Sequence, residues 1–276
     1  MWVFFFIYLY KQWPMKKNCI VTGACGAIGK AIAWGLAEQG FHVYITSRSQ
    51  EKAKQTAEEL KTLTQNHHIY PVCIDLGIQK EIIDFATKWK EPLQLLVNNA
   101  AIAPKKRTET VECIEMQWAV NVLGYYHMIR LFSPYMQELP RARIVNVASY
   151  YAGELDLEDP EFLKRPYDND TAYRQSKQAD RMLTKTWADK LRPFGITVNS
   201  CHPGDVKSQV SKAMGFGGNE SPEQAAKTPL WLATSKDLDD ITGTYAEHCA
   251  LVEDPFTRDN SELERLKFTL RSYIIE

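Results

Sequence analysis

Short apolar runs recur along the chain, and between them lie longer segments whose apolar positions return every three or four residues. The runs are NCIVT (18–22), FHVYIT (41–46), IYPVCID (69–75), LQLLVN (93–98), ARIVNVA (142–148) and ITVNSCH (196–202). The periodic segments are Ala27 to Gln39, stopped by Gly40, then Gln50 to Leu63, Gln79 to Trp89, Val111 to about Met136, and Thr171 to Leu191 before Pro193. Runs that are apolar throughout, rather than alternating, suit strands buried on both faces, and strands separated by helices pair in parallel. The pattern therefore predicts an α/β fold, a doubly wound parallel sheet flanked by helices. No repeat, low-complexity tract or linker divides the 276 residues, which is an ordinary length for one domain. In such a sheet ligands bind beyond the carboxyl ends of the strands. The irregular stretches 101–110, 150–170 and 205–220 each follow a strand and are the expected walls of a site, with 205–220 as a mobile lid over the substrate.

Composition narrows the partner. Apolar residues make up 45% and charged residues 24%, and 33 basic side chains face 34 acidic ones, so neither disorder nor a general affinity for nucleic acid is expected. A small molecule is the expected partner. The cysteines (Cys19, Cys25, Cys73, Cys113, Cys201, Cys249) form no C-x-x-C pair and the six histidines show no ligand spacing, which fits reduced thiols, a cytoplasmic location and no metal. The aromatic run WVFFFIYLY at 2–10 is far shorter than the roughly 20 residues a spanning helix needs. It lacks the flanks of a signal peptide. Three readings of residues 1–14 stay open: a membrane-surface or partner-docking segment, a piece packed on the body, or an extension upstream of a domain that starts at Met15.

The first strand leads into TGACGAIG (22–29) and then a helix. Gly23, Gly26 and Gly29 permit a tight turn and close backbone approach, while the helix amino terminus offers N–H groups to a pyrophosphate, so this turn, with Cys25, Ala27 and Ile28, is a dinucleotide-binding candidate. Cys25 is read as a small residue lining it. At the end of the second strand an acidic residue would hold the ribose hydroxyl of NAD. Here Ser47 stands in that place and Arg48 follows, a guanidinium suited to a 2′-phosphate, so NADP is favoured; the alternative is a solvated loop arginine. Asp75 and Leu76, after the third strand, are candidates to flank the adenine, with Asp75 a helix cap as the alternative.

In AYRQSKQA (172–179), Tyr173 and Lys177 lie one helical turn apart on one face. A phenol of pKa about 10 must drop about three units, about 4 kcal/mol, to act as a base at neutral pH. An ammonium at about 5 Å in an effective dielectric of about 20 supplies about 3 kcal/mol. The pair is thus a candidate acid/base centre beside a hydride-transfer step, with an oxidised nicotinamide ring supplying the remainder.

TGACGAIG, LLVNNAA (95–101), Asn121 in WAVNVLG, Ser149 in RIVNVAS, YRQSK (173–177) and HPGDVKS (202–208) resemble, in order and spacing, the short-chain dehydrogenase/reductase family over about residues 16 to 250. The resemblance implies a single-domain Rossmann sheet of about seven strands and an NADP-dependent oxidoreductase acting on the carbonyl or alcohol group of a hydrophobic small molecule. It implies Tyr173 as acid/base, Lys177 on the nicotinamide ribose, Ser149 on the substrate oxygen and Asn121 in the proton relay. Asn99 and Ala100 would form the family turn near the cofactor, and Pro203, Gly204 and Val206 the loop facing the nicotinamide. Two departures stand out. The glycine spacing resembles the extended, sugar-nucleotide branch, yet only 103 residues follow Tyr173, which favours the compact one. Ala101 replaces the glycine of N-N-A-G. The 24 positions from Ser149 to Tyr173, together with the HPG motif, resemble the retinol dehydrogenase, WW-domain oxidoreductase and protochlorophyllide reductase group.

The acidic residues of that loop (Asp156, Glu158, Asp159, Glu161, Asp168, Asp170) read as a solvated face. His202 reads as a packed ring, and Tyr150 and Tyr151 as pocket walls or core. A sugar-nucleotide-modifying relative and a non-catalytic NADP-binding regulatory module are the competing readings. A homodimer stays open.

Overall fold

The computed structural model describes residues 16–275, so the aromatic run at 2–10 lies outside the described residues. The six apolar runs form β1 (Asn18–Val21), β2 (His42–Ser47), β3 (Ile69–Cys73), β4 (Leu95–Asn98), β5 (Arg143–Val147) and β6 (Thr197–Cys201). Two further strands, β7 (Tyr245–Glu247) and β8 (Ala250–Val252), bring the sheet to eight, in the order β3-β2-β1-β4-β5-β6-β7-β8. All neighbours pair in parallel except β7 with β8. This last hairpin lies beyond the expected strands. Its strands are three residues each, and its two-residue turn is made by His248 and Cys249 at φ 49° and 58°, residues that carry no turn signal. Pro71 sits in β3, the edge strand, where a missing N–H costs little.

Both faces of the sheet are covered. Ile20, Leu96, Ile144 and Val198 point to one side, with α3 (Gln79–Lys88), α4 (Gly124–Phe132), α5 (Asn169–Leu191) and α8 (Asn260–Arg271) packed on them. Val21, Val97 and Val145 point to the other, covered by α1 (Ala27–Glu38), α2 (Gln50–Thr64) and α7 (Pro222–Thr234). Alternate residues of each strand thus feed two cores, which is why the strands carry no polar face. β1 has β2 on one side and β4 on the other, so the chain winds away in both directions and leaves a crevice at the carboxyl ends of these strands.

One expectation needs correction. The helix expected from Val111 begins at Met116 instead and widens into a π-helical turn at Trp118. The Thr110 hydroxyl accepts from the N–H groups of Glu112 and Ile114, and Cys113 is left-handed, so 111–114 is a closed loop; buried Glu115 then accepts from the N–H groups of Gln117 and Trp118 and starts the helix. The loop 205–220, read as a lid, has local structure of its own. It contains α6 (Gln209–Ala213), closed by a Ser208/Ser211 capping box, and its ends are joined by bonds between Asp205 and Glu220 in both directions. Among the described residues no helix is long and apolar enough to cross a membrane.

Candidate active site

The glycine turn is built against β4. Gly23 has φ +64°, and a Cβ there would lie 2.8 Å from Ala100 Cα; one on Gly29 would lie 2.5 Å from Asn99 Nδ2. These two glycines are required by the fold itself, since neither neighbour can yield. Asn99 Nδ2 donates to Thr22 O at 2.8 Å, and the N–H groups of Asn99 and Ala100 reach Thr22 Oγ1 at 2.8 and 3.1 Å, so the turn and the segment after β4 are locked together. Gly26 is exposed and a Cβ there meets only Gly23 O at 3.4 Å, so among the described residues no contact requires its smallness. It is the N-cap of α1 and no side chain caps that helix, whereas Ser49, Asp168, Ser221 and Asp259 cap theirs. The first-turn N–H groups at Ala27, Ile28 and Gly29 are left for an anion, which is what a dinucleotide pyrophosphate requires. Cys25 takes a hydrogen bond from Thr56 Oγ1 at 3.4 Å, which ties the turn to α2.

Thr46 ties the turn to the end of β2, through Ala24 N to Thr46 O at 3.2 Å. Arg48 stands exposed two residues on, where an adenosine ribose would lie. Asp75 does not cap α3, whose N-cap is Ile78; its carboxylate turns back to the N–H of Gly77 at 2.9 Å. Leu76 buries its side chain in the core.

At the chemical end, α5 starts two residues earlier than its apolar period suggested, because Asp168 caps it through Thr171 N at 2.8 Å. Tyr173, Lys177 and Asp180 fall on one face of this helix. Lys177 Nζ lies 5.9 Å from the centre of the Tyr173 ring and 5.3 Å from that of Tyr125. It donates to Val147 O at 3.1 Å and to Asp180 Oδ2 at 2.8 Å, with both side chains of this pair fully buried. Tyr125 donates its hydroxyl to the same Val147 carbonyl. Burial pushes the Tyr173 phenol above its ordinary pKa; the charge of Lys177 and a hydrogen bond with Ser149 pull down, and Asp180 pushes up. Among the chain's own groups the net direction is therefore upward, opposite to what the lysine alone leads one to expect. Sequence reasoning missed Asp180, although its position three residues after Lys177 on a helix was a usable signal.

Ser149 closes β5, its Oγ accepting from Tyr151 N at 3.0 Å. Asn121 lies in a π-helical turn, Trp118–Leu123, a widening of the helix that often marks a functional position. Its amide is fully used: Oδ1 accepts from Ile102 N at 2.9 Å, and Nδ2 donates to Ile102 O and Ser176 Oγ. The side chain thus braces the loop after β4 against α5. Pro203, Gly204 and Val206 run from the end of β6, with Gly204 at φ +137° and Val206 buried.

The mouth is aromatic. Tyr150, half exposed, packs edge-on against buried His202 at 4.5 Å, and burial lowers the histidine pKa, so this ring is neutral packing as read. Phe216 of the 205–220 loop meets the Tyr151 ring at 5.2 Å. The loop acids are less of a solvated face than expected. Asp159 is buried and accepts from the N–H groups of Leu163, Lys164 and Arg165; Asp168 is the helix cap, Asp170 accepts from the Tyr151 hydroxyl and Glu161 from that of Tyr273.

Known proteins share the family pattern and the fold. A family model for short chain dehydrogenases matches residues 17–215. Human retinol dehydrogenase 13 is 32% identical over 249 residues, covering 83% of this chain and 75% of its own, and a probable oxidoreductase of Streptomyces lividans is 32% identical over 252 residues, covering 84% of each. Among solved structures, a Mycobacterium paratuberculosis protein superposes with a TM-score of 0.78 at 22% identity over 94% of this chain and 93% of its own. The NADP complex of RhlG from Pseudomonas aeruginosa gives 0.66 at 25% identity over 84% and 94%. With the glycine turn, the Tyr173–Lys177 helix face and these relatives in agreement, the chain belongs to the short-chain dehydrogenase/reductase family of oxidoreductases and resembles its retinol dehydrogenases.

Proposed function

We propose that this protein is an NADP-dependent oxidoreductase that interconverts a carbonyl and an alcohol on a hydrophobic small molecule, with Tyr173 as the general acid/base. The observation that carries the reading is the α5 face on which Tyr173 and Lys177 converge with Ser149 beside the crevice at the strand ends. The bound nicotinamide supplies or accepts the hydride. Gly26 and the uncapped start of α1 would hold the pyrophosphate, Arg48 the 2′-phosphate, and Lys177 the nicotinamide ribose, with Asn99, Ala100, Pro203, Gly204 and Val206 around it. Burial keeps the Tyr173 phenol protonated, which suits it to give its proton to a carbonyl oxygen as that oxygen gains electron density. Ser149 Oγ–H would steady the same oxygen.

Tyr150, Tyr151 and Phe216 make an aromatic rim, which fits an apolar substrate of the kind named for the retinol dehydrogenase relatives. A sugar-nucleotide relative needs a separate base-binding subdomain, whereas the described residues after α5 complete the layers of the one sheet. A silent NADP-binding module has no use for the full set of Tyr173, Lys177, Ser149 and Asn121. The test is NADPH consumption across retinoids, steroids, quinones and simple aldehydes, with Tyr173→Phe as control. Turnover should fall roughly 10²- to 10⁴-fold in the variant while NADPH binding persists; unchanged turnover refutes the assignment.

A further inference from the structure

A lysine that serves a site usually keeps its charge facing that site. Here Lys177 Nζ has three protons, of which one goes to Val147 O and one to Asp180 Oδ2, leaving a single proton for a ligand. Asp180 is wholly buried, and its second oxygen, Oδ1, has no partner. Burying a carboxylate and leaving one of its oxygens unpartnered is a poor way to gain stability, since desolvation can exceed the attraction within a buried pair. The groups facing the pair are Tyr173 from the same helix, Tyr125 from α4 and Cys201 from β6, and burial leaves the last two protonated. Lys177 and Asp180 are the buried charges here, and the more exposed Asp205 also acts on Tyr173, as a lesser upward push. Asp180 reaches Tyr173 only through field and through the lysine, because seven residues of helix separate them by about 10 Å along the axis.

We propose that Asp180 is a positioning residue that aims Lys177 and offsets its charge, so that the chain holds Tyr173 in its protonated, proton-donating form. The inference rests on the acid/base reading of Tyr173 given above. The burial that raises the Asp180 carboxyl to about 7 makes the offset itself dependent on pH: protonation below that value releases the lysine charge toward the phenol.

The experiment is an ultraviolet difference titration of tyrosinate on the full chain, each protein read against the same protein carrying Tyr173→Phe, with NADPH fluorescence titration to confirm a folded cofactor site. One negative charge at about 10 Å in an effective dielectric of about 20 corresponds to about one pH unit, so Asp180→Asn should lower the Tyr173 midpoint by that much. Asp180→Glu, which keeps the charge, should leave it near the parent value. If Asp180→Asn does not fold, Asp180→Ser is the second neutral variant and carries the same expectation. An unmoved midpoint in a folded neutral variant, with Tyr173→Phe inactive, overturns the role of Asp180 alone. Activity retained in Tyr173→Phe overturns the reading beneath it.

Discussion

Replacing Lys177 with methionine keeps the length of the side chain and removes its charge, and the consequence falls on Asp180. In the parent, burial holds this carboxyl at about 7 even with the ammonium 2.8 Å away. A folded pKa above the unfolded value of about 3.9 means that the native state keeps a proton the unfolded chain has lost, so this contribution to stability is complete at low pH and declines as pH rises toward 7. Without the lysine, burial acts unopposed and the folded pKa moves higher, so the decline continues past neutrality at about 1.4 kcal/mol per pH unit. The limit is the cost of an orphaned buried charge, about 3–5 kcal/mol. Below pH 7 the variant carries a neutral acid and loses little beyond the hydrogen bond to Val147 O, of the order of 1 kcal/mol. Urea unfolding of the parent, Lys177→Met and Lys177→Met/Asp180→Asn at pH 6 and pH 9 reads the difference directly, because every other titrating group cancels in the comparison. The gap between parent and single variant should widen by about 1–3 kcal/mol from pH 6 to pH 9, because the parent itself loses about 1.4 kcal/mol over the same range, and the double variant should remove that widening. A gap of equal size at both pH values would show that Asp180 is neither buried nor dependent on the lysine.

Arg48→Ala should weaken NADPH roughly 10- to 100-fold, the loss of a charge-assisted contact, and leave NADH unchanged; equal effects in fluorescence titrations with both cofactors would remove the 2′-phosphate assignment. Gly23→Ala forces a left-handed residue against the Ala100 backbone, so thermal stability and NADPH binding should fall together, with the backbone conformation alone costing about 1–2 kcal/mol; a variant as stable as the parent contradicts this contact. His127 is held to about 3 by burial, with Arg130 adding to the effect, so the native state resists a proton that the unfolded chain takes up below about 6.5. Stability is therefore lost as pH falls, about 2 kcal/mol of it by pH 5, and His127→Gln should lack this acid sensitivity in calorimetry.

The parallel sheet, its six long-range strands and the glycine turn were legible because each rests on local chemistry: apolar runs of β-branched residues, helical periodicity, and glycines where the backbone must turn or approach closely. The helix start at Met116 was not. It depends on Thr110 satisfying N–H groups of the preceding loop and Glu115 those of the first helical turn, and the apolar period from Val111 carries no sign of that competition. The β7–β8 hairpin escaped notice for a similar reason, since a turn at His248-Cys249 is held by pairing with the sheet and not by residues that favour it. The acids of 150–170 look alike along the chain, and only their surroundings separate Asp159, buried under three N–H groups, from Glu158 at the surface.

By itself the sequence determined which side chains could do chemistry and that Tyr173 and Lys177 share a face, because a helix turns by the same angle wherever it forms. The tertiary structure alone decided the protonation balance at that face. A pKa depends on how much water is excluded and which charges lie within a few ångströms, and those quantities exist only once β5, α4 and α5 close around Lys177, Asp180 and Tyr125.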